Sequence, residues 1–134
     1  MAKLLEVQGI GEVYAQKLGE AGLYTTNDLL TLGATPKGRQ EIADKTGIGE
    51  ALILRWVNHV DLFRIKGVGA QYAELLEAAG VDTVVELAQR NPGNLYPTLV
   101  AANQEHKRVR KLPALKQVKA WVKHAKRLPR AVEY

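Results

Sequence analysis

Cysteine is absent from this chain of 134 residues. Its absence excludes disulfides, a thiolate nucleophile and a zinc site built on thiolates. The three histidines include no pair at the i, i+4 spacing of a helical metal site, so we expect no bound metal. The chain also lacks a nucleophile elbow, a phosphate-binding Walker loop and paired catalytic carboxylates. We therefore predict that the protein is not an enzyme and needs no cofactor.

Long hydrophobic runs are missing as well. No window comes near the ~18 uncharged apolar residues of a membrane-spanning helix, so we expect no membrane contact. The first six residues (MAKLLE) reach a charge at Lys3 and contain no apolar run typical of a signal peptide. Together with the lack of cysteine, these features favour a cytoplasmic protein.

Acidic residues are scarce only in the last quarter of the chain. Residues 101–134 hold ten Lys or Arg and two Asp or Glu, whereas residues 1–100 hold nine and twelve. The net charge of +5 therefore divides into +8 and −3. This asymmetry indicates a polyanion or an acidic protein as partner, although a solvated helix that carries lysines for solubility gives the same count.

The most informative feature of the sequence is an internal repeat. Residues 7–18 (VQGIGEVYAQKL) recur as residues 65–76 (IKGVGAQYAELL), at an offset of 58 positions. A repeat of this length indicates one supersecondary unit used twice. Each copy places a Gly-hydrophobic-Gly turn before a helix. We call these turn 1 (residues 9–11) and turn 3 (residues 67–69).

Helical signals dominate the chain, and they predict an all-α protein of about ten helices. Thr25 with Asp28, Thr83 with Glu86, and Thr35 before Pro36 are typical of helix starts. Apolar residues at helical spacing predict the buried faces; they include Val13, Leu32, Trp56, Leu115 and Trp121.

A second pair of turns precedes the last helix of each copy. Turn 2 (residues 47–49, GIG) keeps both glycines, whereas its counterpart, turn 4 (residues 112–114, LPA), has lost both. Proline has no N–H, and the other two residues bring a β-carbon where glycine allows close backbone approach. Three turns are therefore intact and one is degenerate.

These turns, with the helices after them, resemble the helix-hairpin-helix family. Its pattern is hydrophobic-x-Gly-hydrophobic-Gly-x-x-x-Ala-x-x-hydrophobic, and turns 1 and 3 match it with Ala15 and Leu18, and with Ala73 and Leu76. The resemblance implies two tandem five-helix units packed into one compact body, one over residues 1–63 and one over residues 64–130. The chain looks most similar to small bacterial proteins built from paired units of this kind.

The resemblance also implies a site. In this family the turn amides and the following helix N-terminus hold a DNA phosphate without reading sequence, and the charge and dipole of a helix start suit that ligand. The implied donors lie at Gly9, Gly11, Gly47, Gly49, Gly67 and Gly69. Lys66 makes turn 3 the best candidate, whereas Glu12 and Glu50 follow turns 1 and 2 and repel phosphate. The alternative is that the glycines only permit tight turns and close packing.

The C-terminal helix adds a cationic surface. Its Lys116, Lys119 and Lys123 lie opposite an apolar stripe, and a cluster of Lys107, Arg108, Arg110 and Lys111 surrounds turn 4. We therefore predict non-catalytic, sequence-independent binding of the DNA phosphate backbone through turn amides and this helix. The alternative is an adaptor that keeps the fold without DNA contacts and binds an acidic protein partner.

Overall fold

Eight α-helices make up the regular structure of residues 3–134, which are the residues that the computed structural model describes. No β-strand occurs among these residues; one isolated antiparallel bridge pairs Lys3 with Thr25. The prediction of an all-α protein is therefore confirmed. The first two residues of the predicted unit 1–63 lie outside the described residues.

The helices divide between two compact units. The first unit extends to Asp61 and includes Ala131–Tyr134. It contains a 3-10 turn at Leu4–Glu6 and then α1 (Glu12–Glu20), α2 (Thr26–Leu32), α3 (Pro36–Thr46) and α4 (Glu50–Leu62). Its largest fully buried side chains are Leu18, Leu23, Leu29, Ile53 and Trp56.

The second unit comprises Leu62–Arg130. It contains α5 (Ala70–Ala78), α6 (Val84–Ala88), α7 (Pro92–His106) and α8 (Leu115–Ala125). Helix α8 packs against α6 and α7, and α5 packs against α7. The core of this unit includes Leu75, Leu76, Leu87, Leu95, Leu99 and Trp121.

The described residues form eight α-helices rather than the predicted ten or so, with no α-helix in residues 3–8 or between α4 and turn 3. Leu4–Glu6 forms only a 3-10 turn, and the Ile65 amide donates to the Leu62 carbonyl at 3.1 Å in the turn that follows α4. Only six described residues precede turn 1 and only four separate α4 from turn 3, which leaves little room beyond one helical turn.

The predicted helix starts are confirmed. The Thr25 hydroxyl accepts from the Asp28 amide while the Asp28 carboxylate accepts from the Thr25 amide, which closes a capping box. Thr35 caps α3 with proline at the first helical position, and Asn91 caps α7 in the same way. These starts depend on a side chain and the amides two or three residues later, so local sequence specifies them.

Three positions predicted to face the core are exposed instead: Val13, Leu32 and Leu115, at 68%, 49% and 38%. The neighbouring Tyr14 faces the core, where its ring packs on Trp56 at a centroid distance of 5.1 Å. Successive positions on a helix point about 100° apart, so Val13 points away from that contact. Trp56 and Trp121 are buried, as predicted. Helix α8 ends at Ala125, after which the Arg127 and Leu128 amides donate to the His124 and Ala125 carbonyls at 3.0 and 3.2 Å in tighter turns.

A buried arginine holds the C-terminal residues onto the first unit. Arg39 is 5% exposed and donates to the carbonyls of Gly33 and Ala34, at 2.8 and 3.1 Å. Its other terminal nitrogen donates to the Glu133 carbonyl at 2.7 Å, and the Tyr134 hydroxyl donates to Asn58 at 3.0 Å. Nothing in the periodicity of the sequence signals this contact, because its partners are 94 residues apart.

A pair of carboxyl groups at the start of α6 should make the stability of the protein depend on pH. A hydrogen bond to Asp82, together with burial and the Asp82 charge, raises the pKa of Glu86 from 4.5 to about 7. The folded protein therefore takes up a proton that the unfolded chain does not hold between these values. It follows that the free energy of unfolding falls as the pH rises from about 4.5 to about 7.

We expect Glu86→Gln, which resembles the protonated acid, to remove this dependence. Thermal unfolding measured from pH 5 to pH 8 should show a variant that matches the parent at the acid end and exceeds it modestly at the alkaline end. The matched control is Glu105→Gln, because Glu105 is exposed on α7. A parent whose melting temperature does not fall relative to Glu86→Gln across this range would contradict the assignment.

Candidate nucleic-acid interface

Turn 3 is built around a glycine with left-handed backbone. Gly67 has φ +92°, and the turn is closed by the Val68 amide, which donates to the Ile65 carbonyl at 3.0 Å. A β-carbon at Gly67 would lie 3.3 Å from the indole nitrogen of Trp121. Turn 1 has the same construction, with Gly9 at φ +92° and the Trp56 indole nitrogen 3.2 Å from such a carbon. Only glycine adopts this backbone beside the indole without strain.

The second glycine of turn 3 has a different role. Gly69 is the N-cap of α5 with φ −104° and ψ −164°, which any residue adopts, and a β-carbon there would meet nothing within 4 Å. Since glycine has no side chain, it leaves the first amides of α5 uncapped, and the helix dipole adds partial positive charge at that end. The alternative that the glycines only permit tight turns and close packing thus explains Gly67 but not Gly69.

The eight residues between α7 and α8, residues 107–114, form a loop that lies against α5. We call this segment the cationic loop. Asn103 fixes it by accepting from the Val109 amide at 2.9 Å and donating to the Val109 carbonyl at 3.1 Å. The Tyr72 hydroxyl donates to the Lys111 carbonyl at 3.1 Å, and Arg108 pairs with Glu74 at 3.2 Å.

Turn 3 and the cationic loop form the two walls of a cleft of about 460 Å³. We call it the turn-3 cleft; it is lined by Gly67, Gly69, Ala70, Gln71, Tyr72, Arg110 and Lys111. Both cationic residues are exposed. One wall therefore offers backbone amides at the N-terminus of a helix, and the other offers a guanidinium and an ammonium group. This combination suits an anion with several oxygens.

The other predicted cations take several positions. Lys66 lines a separate cleft with Ala120, His124 and Arg127. On α8, Lys116, Lys119 and Lys123 are all exposed and share one face by their helical spacing. Lys107 is exposed at the C-cap of α7, and Arg108 forms the ion pair with Glu74.

Turns 1 and 2 lie in the first unit and have acidic surroundings. Glu12 and Glu50 occupy the first positions of α1 and α4, directly after Gly11 and Gly49, and both are exposed. The first unit holds six Lys or Arg and nine Asp or Glu, whereas the second holds thirteen and five. The first unit therefore has a net charge of −3 and the second a net charge of +8, and a positive unit is the better suited of the two to an anion.

Sequence reasoning assigned no binding role to five residues of these two clefts: Ala70, Gln71, Tyr72, Ala120 and His124. Tyr72 had a signal, since its repeat partner Tyr14 is at the same place beside a tryptophan. His124 had one too, since it aligns with His59 in the other copy, but the alignment gives no indication that its ring accepts from the Lys66 amide, at 3.2 Å.

None of the helices in residues 3–134 has the length and apolar character that crossing a membrane requires. Within the same residues, no three His, Asp or Glu side chains are grouped as ligands for a metal ion.

Comparison with protein families gives a match over most of the chain. The family described as a domain of unknown function, DUF4332, matches residues 8–128, which is most of the chain and includes every residue of both clefts. Neither curated proteins nor solved structures give a significant match. The chain thus belongs to the DUF4332 family.

Proposed function

We propose that this protein binds nucleic acid through the phosphate backbone, without catalysis and without reading sequence, and that the turn-3 cleft is its principal contact. The observation that carries the proposal is the convergence of Arg110 and Lys111 with the uncapped start of α5 on one cleft. The proposal includes the finer fold assignment, in which turns 1 to 3 are the hairpins of helix-hairpin-helix units.

Electrostatics supports this function over binding of a neutral ligand. The second unit carries +8, and the exposed Lys116, Lys119 and Lys123 extend its positive surface along α8. Contacts to phosphates release counterions, which gives affinity without sequence preference. Turn amides act alongside the side chains as fixed donors that need no ordering when the ligand arrives.

The first experiment is fluorescence anisotropy with labelled duplex and single-stranded DNA over a series of salt concentrations. We expect micromolar binding at low salt that weakens steeply as salt rises, with a slope near 0.9 per phosphate contacted for a duplex. Equal affinity for unrelated sequences is part of the expectation. No binding at low salt to either form would overturn the proposal.

Gly69→Ser tests whether the amides of α5 take part. A serine at an N-cap accepts from the second or third helical amide, so its hydroxyl would occupy the donors that we assign to phosphate. Because the backbone and the open space accept a side chain, we expect stability to stay the same or to rise by a few tenths of a kcal/mol. DNA affinity should fall about tenfold, which corresponds to ~1.4 kcal/mol.

Gly11→Ser is the matched control for this change. Gly11 is the N-cap of α1 with similar φ and ψ, and a β-carbon there also meets nothing within 4 Å. We expect its DNA affinity to equal that of the parent, because Glu12 already places negative charge at that helix start. Equal affinities for both variants and the parent would show that the amides of α5 bind no phosphate.

The first unit favours a second candidate function, an adaptor that binds another protein. Between residues 3 and 35 it exposes four large apolar side chains: Leu5, Val13, Tyr24 and Leu32. At the offset of 58 the second unit has a half-buried phenylalanine and three polar residues in their places: Phe63, Gln71, Asp82 and Arg90. Exposed apolar side chains of this size are typical of protein contacts when they lie together. The two functions are compatible, since each uses a different unit.

A further inference from the structure

A second cleft in the same unit adjoins turn 3. It has a volume of about 320 Å³ and is lined by Lys66, Ala120, His124 and Arg127. We call it the helix-8 cleft. Lys66 and Arg127 are exposed, and His124 is partly buried between them and the core. Ala120 contributes only a methyl group, which leaves space among the three basic side chains.

A hydrogen bond orients the imidazole of this cleft. The His124 Nδ1 atom accepts from the Lys66 amide at 3.2 Å, so the neutral ring carries its proton on Nε2. That bond ties turn 3 to α8 and leaves Nε2–H as a donor. The cleft thus combines an imidazole N–H with an ammonium group and a guanidinium group, which pairs with phosphate oxygens in a fork.

We propose that the helix-8 cleft is a second phosphate subsite, which takes the phosphate next along the strand from the one in the turn-3 cleft. This inference rests on the proposed function. Lys66 and Gly67 are neighbours in the chain and line different clefts, so the two clefts flank one turn. Because the clefts flank one turn, a strand that crosses this turn would place successive phosphates in them.

The face of α8 strengthens the assignment. Helical spacing places Lys116, Lys119 and Lys123 on the same side of α8 as Ala120, which lines the cleft, so the cleft adjoins that lysine face. A strand that leaves the turn-3 cleft through the helix-8 cleft would continue along these lysines. The separate cationic features of the second unit then form one track.

The test compares short DNA strands with one and two internal phosphates, thymidine dinucleotide and trinucleotide, by NMR titration of the labelled protein. We expect the parent to bind the trinucleotide about tenfold more tightly, a difference of ~1.4 kcal/mol. Arg127→Gln should abolish this gain, and so should Lys66→Gln, which changes the other exposed cation of the cleft. Arg130→Gln, the same change at an exposed residue outside both clefts, should keep it.

Each other outcome overturns the inference in a recognisable way. If the parent gains nothing from the second phosphate, or if Arg127→Gln and Arg130→Gln behave alike, the cleft is not a subsite although DNA binding stands. If inorganic phosphate occupies the helix-8 cleft as tightly as the trinucleotide, the cleft serves a free anion instead of a strand. If the parent binds no oligonucleotide or duplex, the proposed function fails and the inference fails with it.

Discussion

Trp121→Ala is expected to lower the free energy of unfolding of the second unit by about 3–5 kcal/mol. Trp121 is 2% exposed and lies in the core of that unit, where its ring packs against Tyr72 at a centroid distance of 5.2 Å. Truncation would remove the apolar contacts and leave a cavity beneath turn 3, since the indole nitrogen adjoins Gly67. The substitution should therefore disturb the geometry of the turn-3 cleft as well as the core.

Hydrogen exchange resolved by mass spectrometry can measure this loss within Leu62–Arg130, because the two units need not unfold in one transition. Trp121→Phe keeps an aromatic ring in the core and should cost less than the alanine variant. Leu115→Ala on the same helix should cost under about 1 kcal/mol, because Leu115 is 38% exposed. A loss below 1 kcal/mol for Trp121→Ala would contradict the core assignment.

Local chemistry in the sequence predicted much of the fold. The caps at Thr25, Thr35 and Asn91 depend on residues at most three positions away, and glycine at positive φ is close to obligatory at Gly67. The internal repeat predicted that the same construction would occur twice. Such local features can be predicted from the sequence without knowing which residues pack against them.

The features that sequence reasoning missed depend on distant parts of the chain. The sequence predicted a cationic cluster beside the degenerate turn 4 but not its position on α5, because the contacts that hold this loop come from Tyr72, Glu74 and Asn103. The predicted cations Arg110 and Lys111 were therefore identified without the cleft that they line. Lys66 was assigned to turn 3, although it lines the cleft next to α8.

The double variant Arg110→Gln/Lys111→Gln should weaken DNA binding by about 10- to 100-fold at low salt, equivalent to ~1.4–2.7 kcal/mol. Both side chains line the turn-3 cleft and are exposed, so their loss removes one wall of positive charge while the core stays intact. The salt dependence should become shallower, by ~0.9 for each phosphate contact that is lost on a duplex. Anisotropy over the salt series measures both quantities.

Lys37→Gln/Lys45→Gln is the matched control, because it removes two exposed positive charges from α3 in the first unit. If affinity depends only on the net charge of the protein, the two double variants will weaken binding equally, and the turn-3 cleft loses its special role. We expect the control to bind within about twofold of the parent, since neither lysine lines the turn-3 cleft.

A third variant separates charge from position at the same cleft. Asn103→Leu removes both hydrogen bonds to Val109 and so loosens the cationic loop, but it keeps Arg110 and Lys111. If the loop binds phosphate because it is held opposite α5, this variant should weaken binding by several-fold while the salt slope stays near that of the parent, since ordering the loop then costs free energy on binding. Unchanged affinity would mean that the two cations attract the strand only as mobile charges. The structure favours the first result, since three side chains from α5 and α7 fix the loop before any ligand arrives.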